Sequence, residues 1–198
     1  MSATITEEIA TTAARLVVEE GLEYGPAKRR AARMLGRSGR RASELPSNDR
    51  LEDEVFAYID LFCIDTQSQE LAALRRVAMT WMERLANHRP HLTGAVWRGT
   101  ATRLNNVHLQ LYCDDSKAAE LRLIDLGVSY GVGSVPGPRG EPVDMLTVTS
   151  PCRTLREEVT VHLSVLDHDD LRGSLKPDPR GRSQRGDLVA LRKLMEAA

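Results

Sequence analysis

The sequence predicts an α+β protein, with an N-terminal helical bundle followed by a small mixed or antiparallel sheet that has helices of its own. Three observations predict it. Over the first ninety residues, apolar side chains recur only at helical spacing. From Leu92 onward the texture changes to short apolar runs broken by Gly, Pro and Asn, as strands require. Val159, Val161, Leu163 and Val165 then alternate with Thr160, His162, Ser164 and Leu166, the period-two pattern of a half-buried strand. The chain accordingly divides into a helical region over residues 1–87, an α/β core over 88–175, and a polar linker with a closing helix over 176–198.

Ile5, Ile9, Leu16 and Val17 share one helical face, and Gly21 provides the stop. Pro26 can open a second, short helix that carries Lys28, Arg29, Arg30 and Arg33 and ends near Gly36, with Arg37 continuing the positive run into a loop. After Pro46, Ser47 to Asp49 can cap a third helix, with Leu51, Val55, Ile59 and Phe62 at helical spacing. Thr66 with Gln69 forms a capping box for a fourth, which Leu71, Leu74, Ala78, Trp81 and Leu85 line until the pattern stops at Asn87 to Pro90. Leu92 to Trp97 and Val107 to Tyr112 are candidate strands around a turn at Gly99. A helix between Asp115 and Gly127 follows, bearing Ala118, Leu121 and Ile124. Val128 to Val135 and Val143 to Thr149 flank the turn-rich Pro136 to Gly140 and are expected to pair as an antiparallel hairpin. After the strand that contains His162, a polar Pro, Gly and Arg stretch over 176–187 leads to a last helix at Leu188 to Met195.

Aromatic residues make up only 4% of the chain, so Leu, Val, Ile and Ala have to fill the core. A net charge of -1 gives no global attraction to nucleic acid or membrane. The local candidate is the run Lys28, Arg29, Arg30, Arg33 and Arg37, which could contact RNA phosphates. Its plainer reading is a solvated face balanced by Glu44, Asp49, Glu52 and Asp53, because no aromatic residues interleave to stack bases. Cys63, Cys113 and Cys152 are odd in number and lack CxxC spacing, which argues against a disulfide framework or a cysteine zinc site and for reduced, mostly buried thiols. No window approaches the roughly 20 apolar residues of a membrane span. A cytoplasmic location without a membrane partner is therefore expected. Phosphate-loop and HExxH motifs are missing from the sequence and no GxGxxG opens a helix after a strand, which leaves the commonest nucleotide-hydrolysing, zinc-protease and dinucleotide-binding chemistries without support.

The informative segment is Gly94 to Leu111. On its second strand Asn106, His108 and Gln110 project to one side and Val107, Leu109 and Leu111 to the other. A glycine-bearing turn ahead of such a strand can present backbone N–H groups to an anion. The layout resembles the signature of the nucleotidyltransferase superfamily of the polymerase beta type, in which a strand ending in Gly-Ser, a glycine-bearing turn and Asp-apolar-Asp on the next strand follow one another. Gly94 and Ala95 stand where Gly-Ser is expected, Gly99 matches the turn glycine, and Asn106, Val107 and His108 match Asp-apolar-Asp. The resemblance covers residues 92–112 closely and 88–172 loosely.

The resemblance implies a nucleotidyltransferase-like fold, with nucleotide binding through Gly94, Ala95, Arg98, Gly99 and Thr100. It also implies a catalytic row of Asn106, His108 and His162, in which His162 stands for a third carboxylate on a later, neighbouring strand; Asp144 is the other candidate for that place. In active members the paired aspartates hold magnesium ions, which want hard, charged oxygen ligands. Asn106 keeps an oxygen but loses the charge, and His108 offers a nitrogen better suited to zinc or manganese than to magnesium. What is implied is a nucleotide-binding pseudoenzyme with absent or altered transfer activity. A divalent Mg, Mn or Zn ion would be held through His108, His162 and Asp167, or Asp169 in its place. The plainer reading of both histidines is solvent-facing or hydrogen-bonded side chains on a strand's polar face. The other class of function is a non-catalytic regulatory or scaffold module, binding a protein or RNA partner through its helical, Arg-rich half.

Overall fold

A computed structural model of the chain describes residues 4–36 and 45–197. Among these, eight α-helices and a six-stranded mixed sheet make an α+β architecture. The backbone gathers into two compact units, one from the described parts of Met1–Leu71 with Thr100–Asn105, the other from Ala72–Gly99 with the described part of Asn106–Ala198.

In the first unit, α1 (Ile5–Glu20) opens with a capping box: the Glu7 N–H donates to Thr4 Oγ1 and the Thr4 N–H to Glu7 Oε2. It closes at Gly21, whose φ of 68° suits glycine and where a Cβ would lie 2.5 Å from the Leu104 carbonyl oxygen. The next helix, α2 (Tyr24–Met34), starts two residues before Pro26, which its first turn tolerates because no N–H is needed there. Ser47 caps α3 (Asn48–Phe62) by accepting from the Arg50 N–H. Ile9, Ala13 and Val17 of α1, Ala27 and Ala31 of α2, and Leu51, Val55 and Ile59 of α3 form one buried cluster. The returning segment 100–105 is tied in by Gln67, whose Nε2 donates to the Ala101 carbonyl at 2.9 Å, and by Thr102, whose hydroxyl donates to the Val18 carbonyl at 3.4 Å. The helix α4 (Gln67–Arg84) begins in this unit and continues into the second.

In the second unit the strands are β1 (His91–Thr93), β2 (Val107–Cys113), β3 (Gly131–Pro136), β4 (Pro142–Cys152), β5 (Glu157–Asp167) and β6 (Arg185–Gly186). Their order across the sheet is β3-β4-β5-β2-β1-β6. The pair β2 and β5 runs parallel, with His108 beside His162, and every other pair is antiparallel. One face of the sheet is apolar: Val107, Leu109, Leu111, Val161 and Leu163 are fully buried. The other carries His108, Gln110, His162 and Ser164, all partly exposed. Four more helices complete the unit, α5 (Gly94–Arg98), α6 (Ala118–Asp125), α7 (Asp170–Ser174) and α8 (Leu188–Glu196). The hairpin of β3 and β4 forms as the sequence predicts, and β3 is the exposed edge.

Three expectations need correction. The strand read over Leu92 to Trp97 stops at Thr93, because Gly94 at φ 76° turns the chain into α5 and Gly99 at φ 92° ends that helix. On α6 the buried residues are Ala119 and Leu123, whereas Leu121 and Ile124 are 56% and 57% exposed. That helix starts at Ala118, after a turn in which Asp115 accepts from the Lys117 N–H, and its i and i+4 positions then face inward. Arg185, expected among linker charges, belongs to β6 and pairs with Thr93. Cys113 and Cys152 are buried and Cys63 is partly so. Burial pushes the Cys113 thiol up to about 11. Among the described residues no helix is long and apolar enough to cross a membrane.

Candidate functional site

The polar sheet face brings the row Asn106, His108 and His162 together. In the parallel register His108 stands directly beside His162, their ring centroids 5.0 Å apart and tilted by 35°. Gly94 closes the row from above: a Cβ there would touch the His108 ring at 3.7 Å. The Asn106 Nδ2 lies 3.2 Å from His162 Nε2, and Thr147 Oγ1 on β4 lies 3.0 Å from His162 Nδ1. A neutral His162 with its proton on Nδ1 satisfies both, donating to Thr147 and accepting from the Asn106 amide.

These donors do not fit magnesium. The ion prefers charged oxygen ligands, and the row offers one amide and two imidazoles. Both nitrogens of His162 are already hydrogen-bonded. Asp167 lies at the far end of β5, beside Cys113 and roughly 16 Å along the strand from His162. Asp169 lies further on, where its N–H bonds to Asp167 Oδ1. Asp144 sits three residues from Thr147 and so projects from the opposite face, where its carboxylate is 3.9 Å from Lys117 Nζ. Among the described residues no three His, Cys, Asp or Glu side chains come together as a metal cage.

The expected nucleotide-binding residues separate. Gly94, Ala95, Arg98 and Gly99 all belong to α5 and its caps. Ala95 is buried. Thr100 is fully buried in the first unit, where its hydroxyl lies 3.5 Å from that of Tyr24, so it is not presented to a ligand. What positions α5 is Arg75 of α4, which is 6% exposed and donates to the carbonyls of Val96 at 3.2 Å and Trp97 at 3.5 Å. Burial lowers its pKa from the usual arginine value.

Further along the same face, next to the histidine row, lies a groove of about 640 Å³. Gln110 of β2, Ser164 and Leu166 of β5, and Arg185 of β6 form part of its lining. Arg185 donates to Gln110 Oε1 and, at 3.1 Å, to the Tyr112 hydroxyl; its Nε is buried without a partner. No acid is ion-paired with Arg185 among the described residues, and its side-chain hydrogen bonds go to neutral groups, although Asp169 and Asp170 also line the groove. Gly186 holds the strand close, since Trp97 packs where a Cβ would be, only 2.1 Å from the ring, and the Trp97 indole donates to the Ser183 carbonyl. At the groove's rim, Arg139 in the β3–β4 turn is 2.8 Å from Asp170 of α7.

The basic run is partly engaged by the first unit itself. Lys28 Nζ donates to the Pro46 carbonyl and to Asn48 Oδ1, with burial lowering its pKa, and Arg30 pairs with Glu20. Arg29 and Arg33 are exposed, and Arg37 lies outside the described residues. Sequence reasoning missed Arg75, Thr147, Ser164 and Arg185. A signal existed for Arg75, which falls on the apolar stripe of α4, four residues after Leu71 and three before Ala78. Comparison with protein-family models, with curated proteins and with solved structures finds no match.

Proposed function

We propose that the polar sheet face is a nucleotide-binding site of nucleotidyltransferase type that has lost two-metal transfer chemistry. The observation that carries this reading is the alignment of His108 on β2, Asn106 just ahead of that strand, and His162 on the parallel β5, with Gly94 against the His108 ring. It is the relation that the sequence resemblance implies for the three metal-binding positions, with an amide and two imidazoles in place of the three carboxylates. The adjoining groove falls in the range of small-molecule sites, and Arg185, which lies in the same lining as Asp169 and Asp170 but is ion-paired to neither, has a planar fork that suits phosphoryl oxygens.

Thermal unfolding with nucleoside triphosphates, alone and with Mg²⁺, Mn²⁺ or Zn²⁺, tests the reading, because a ligand of the folded state raises stability by RT ln(1 + [L]/Kd). The expected result is stabilisation by nucleotide without magnesium, reduced in Arg185→Gln. No shift at millimolar nucleotide would sink it. A metal response that His108→Ala removes would instead assign His108 as a ligand.

A second reading has its own support. Leu61, Phe62 and Ile64 at the end of α3 are 74%, 68% and 71% exposed. Such apolar exposure favours a scaffold that binds a protein through the helical half. RNA is less favoured, because Lys28 and Arg30 are engaged within the fold.

A further inference from the structure

The second unit holds another cleft, of about 320 Å³, between α4 and the β4–β5 turn. Arg76, Thr80 and Arg84 line it from α4, and Arg153 and Thr154 from the turn; no carboxylate contributes to the lining. Arg76, Thr80 and Arg84 recur every four residues, so they share one helix face and spread over about 12 Å. None of the three arginines has an acidic partner among the described residues: Arg76 donates to the Thr154 hydroxyl at 3.4 Å, and Arg84 lies over the Trp81 ring, 5.1 Å from its centroid. Trp81 itself is 1% exposed, lines the cleft, and has an indole Nε1 with no hydrogen-bond partner.

Three like charges held around one hollow repel each other, and an anion placed among them relieves that repulsion. A guanidinium meets two phosphoryl oxygens at once, and the threonine hydroxyls add donors. One phosphoryl group, with about −1.5 to −2 charges at neutral pH, offsets half or more of the charge of three arginines, and two balance it. The cleft is about half the volume of the sheet-face groove, at the lower end of the range of small-molecule sites, which suits a compact anion. We propose that this cleft binds a small phosphorylated anion carrying one or two phosphoryl groups, separately from the site on the sheet face.

Calorimetric titration with pyrophosphate, free of divalent metal, tests this on the full chain. Wild type should bind in a salt-sensitive manner. Arg76→Gln and Arg153→Gln, both exposed side chains, should each weaken binding about tenfold and together about a hundredfold, with the ligand-free melting temperature unchanged. Arg185→Gln should leave this binding intact even if the sheet face takes no nucleotide. Absence of binding, equal affinity in the double variant, or loss in Arg185→Gln instead would overturn the proposal. So would a single-stranded oligonucleotide that binds through Arg76 and Arg153 and is not displaced by pyrophosphate.

Discussion

At Gly94 a left-handed backbone, φ 76°, turns β1 into α5 directly against the His108 ring. The constraint is conformational and not steric, since a Cβ would make only an ordinary contact at 3.7 Å. Gly94→Ala is therefore expected to lose about 1–2 kcal/mol through the backbone alone. Urea unfolding should show a lower midpoint at unchanged slope, and a midpoint equal to wild type would refute the strain. Period-two alternation was enough to place Asn106, His108 and Gln110 on one face, because side-chain direction along a strand is a local property. The roles of Arg75 and Arg185 were not legible, since each depends on acceptors supplied by other elements: the carbonyls of α5 for one, Gln110 and Tyr112 for the other.

Among the elements, the approach to β6 depends on Asp178. Its carboxylate accepts from the backbone N–H groups of Arg180 and Arg182, from the Arg182 side chain and from Gln184, and only 8% of its side chain is exposed. The Arg182 backbone bond, with smaller contributions from the Arg182 side chain, holds its pKa below the usual 3.8. A depressed carboxyl stabilises the fold above its unfolded value, and that contribution is lost as pH falls through the folded one. Below pH 3.8 the turn should loosen and free the Trp97 indole from Ser183, read as a change in tryptophan emission. In Asp178→Asn that acid transition should vanish, and its persistence would reject Asp178 as the cause. Sequence marked residues 176–187 as polar and rich in turn formers, which is correct as composition. It could not show that one carboxylate collects four donors there.

For the whole molecule, the least legible feature is the return of residues 100–105 to the helical unit between two stretches of the other. Texture changes along a chain reveal where helices give way to strands, but not that six residues double back. The return is held by Asn105, 4% exposed, whose Oδ1 accepts from the Thr102 N–H at 2.8 Å. Asn105→Ala should leave that buried N–H unpaired and cost about 1–3 kcal/mol. Hydrogen exchange should locate the weakening within residues 100–105, and unaltered protection there would contradict it.

The bond between Asn106 and His162 joins residues 56 apart in sequence, across a parallel strand pair that no hairpin can nucleate. Helices and the β3–β4 hairpin form from near neighbours, whereas this contact waits for the chain to pass through α6 and that hairpin, which separate β2 from β5 in sequence, before the two strands meet. A partly folded chain can therefore be rich in secondary structure and still have no site. During refolding, recovery of the nucleotide binding proposed for the polar sheet face should trail recovery of helical signal, making that binding a direct report on when the central pair of the sheet has closed.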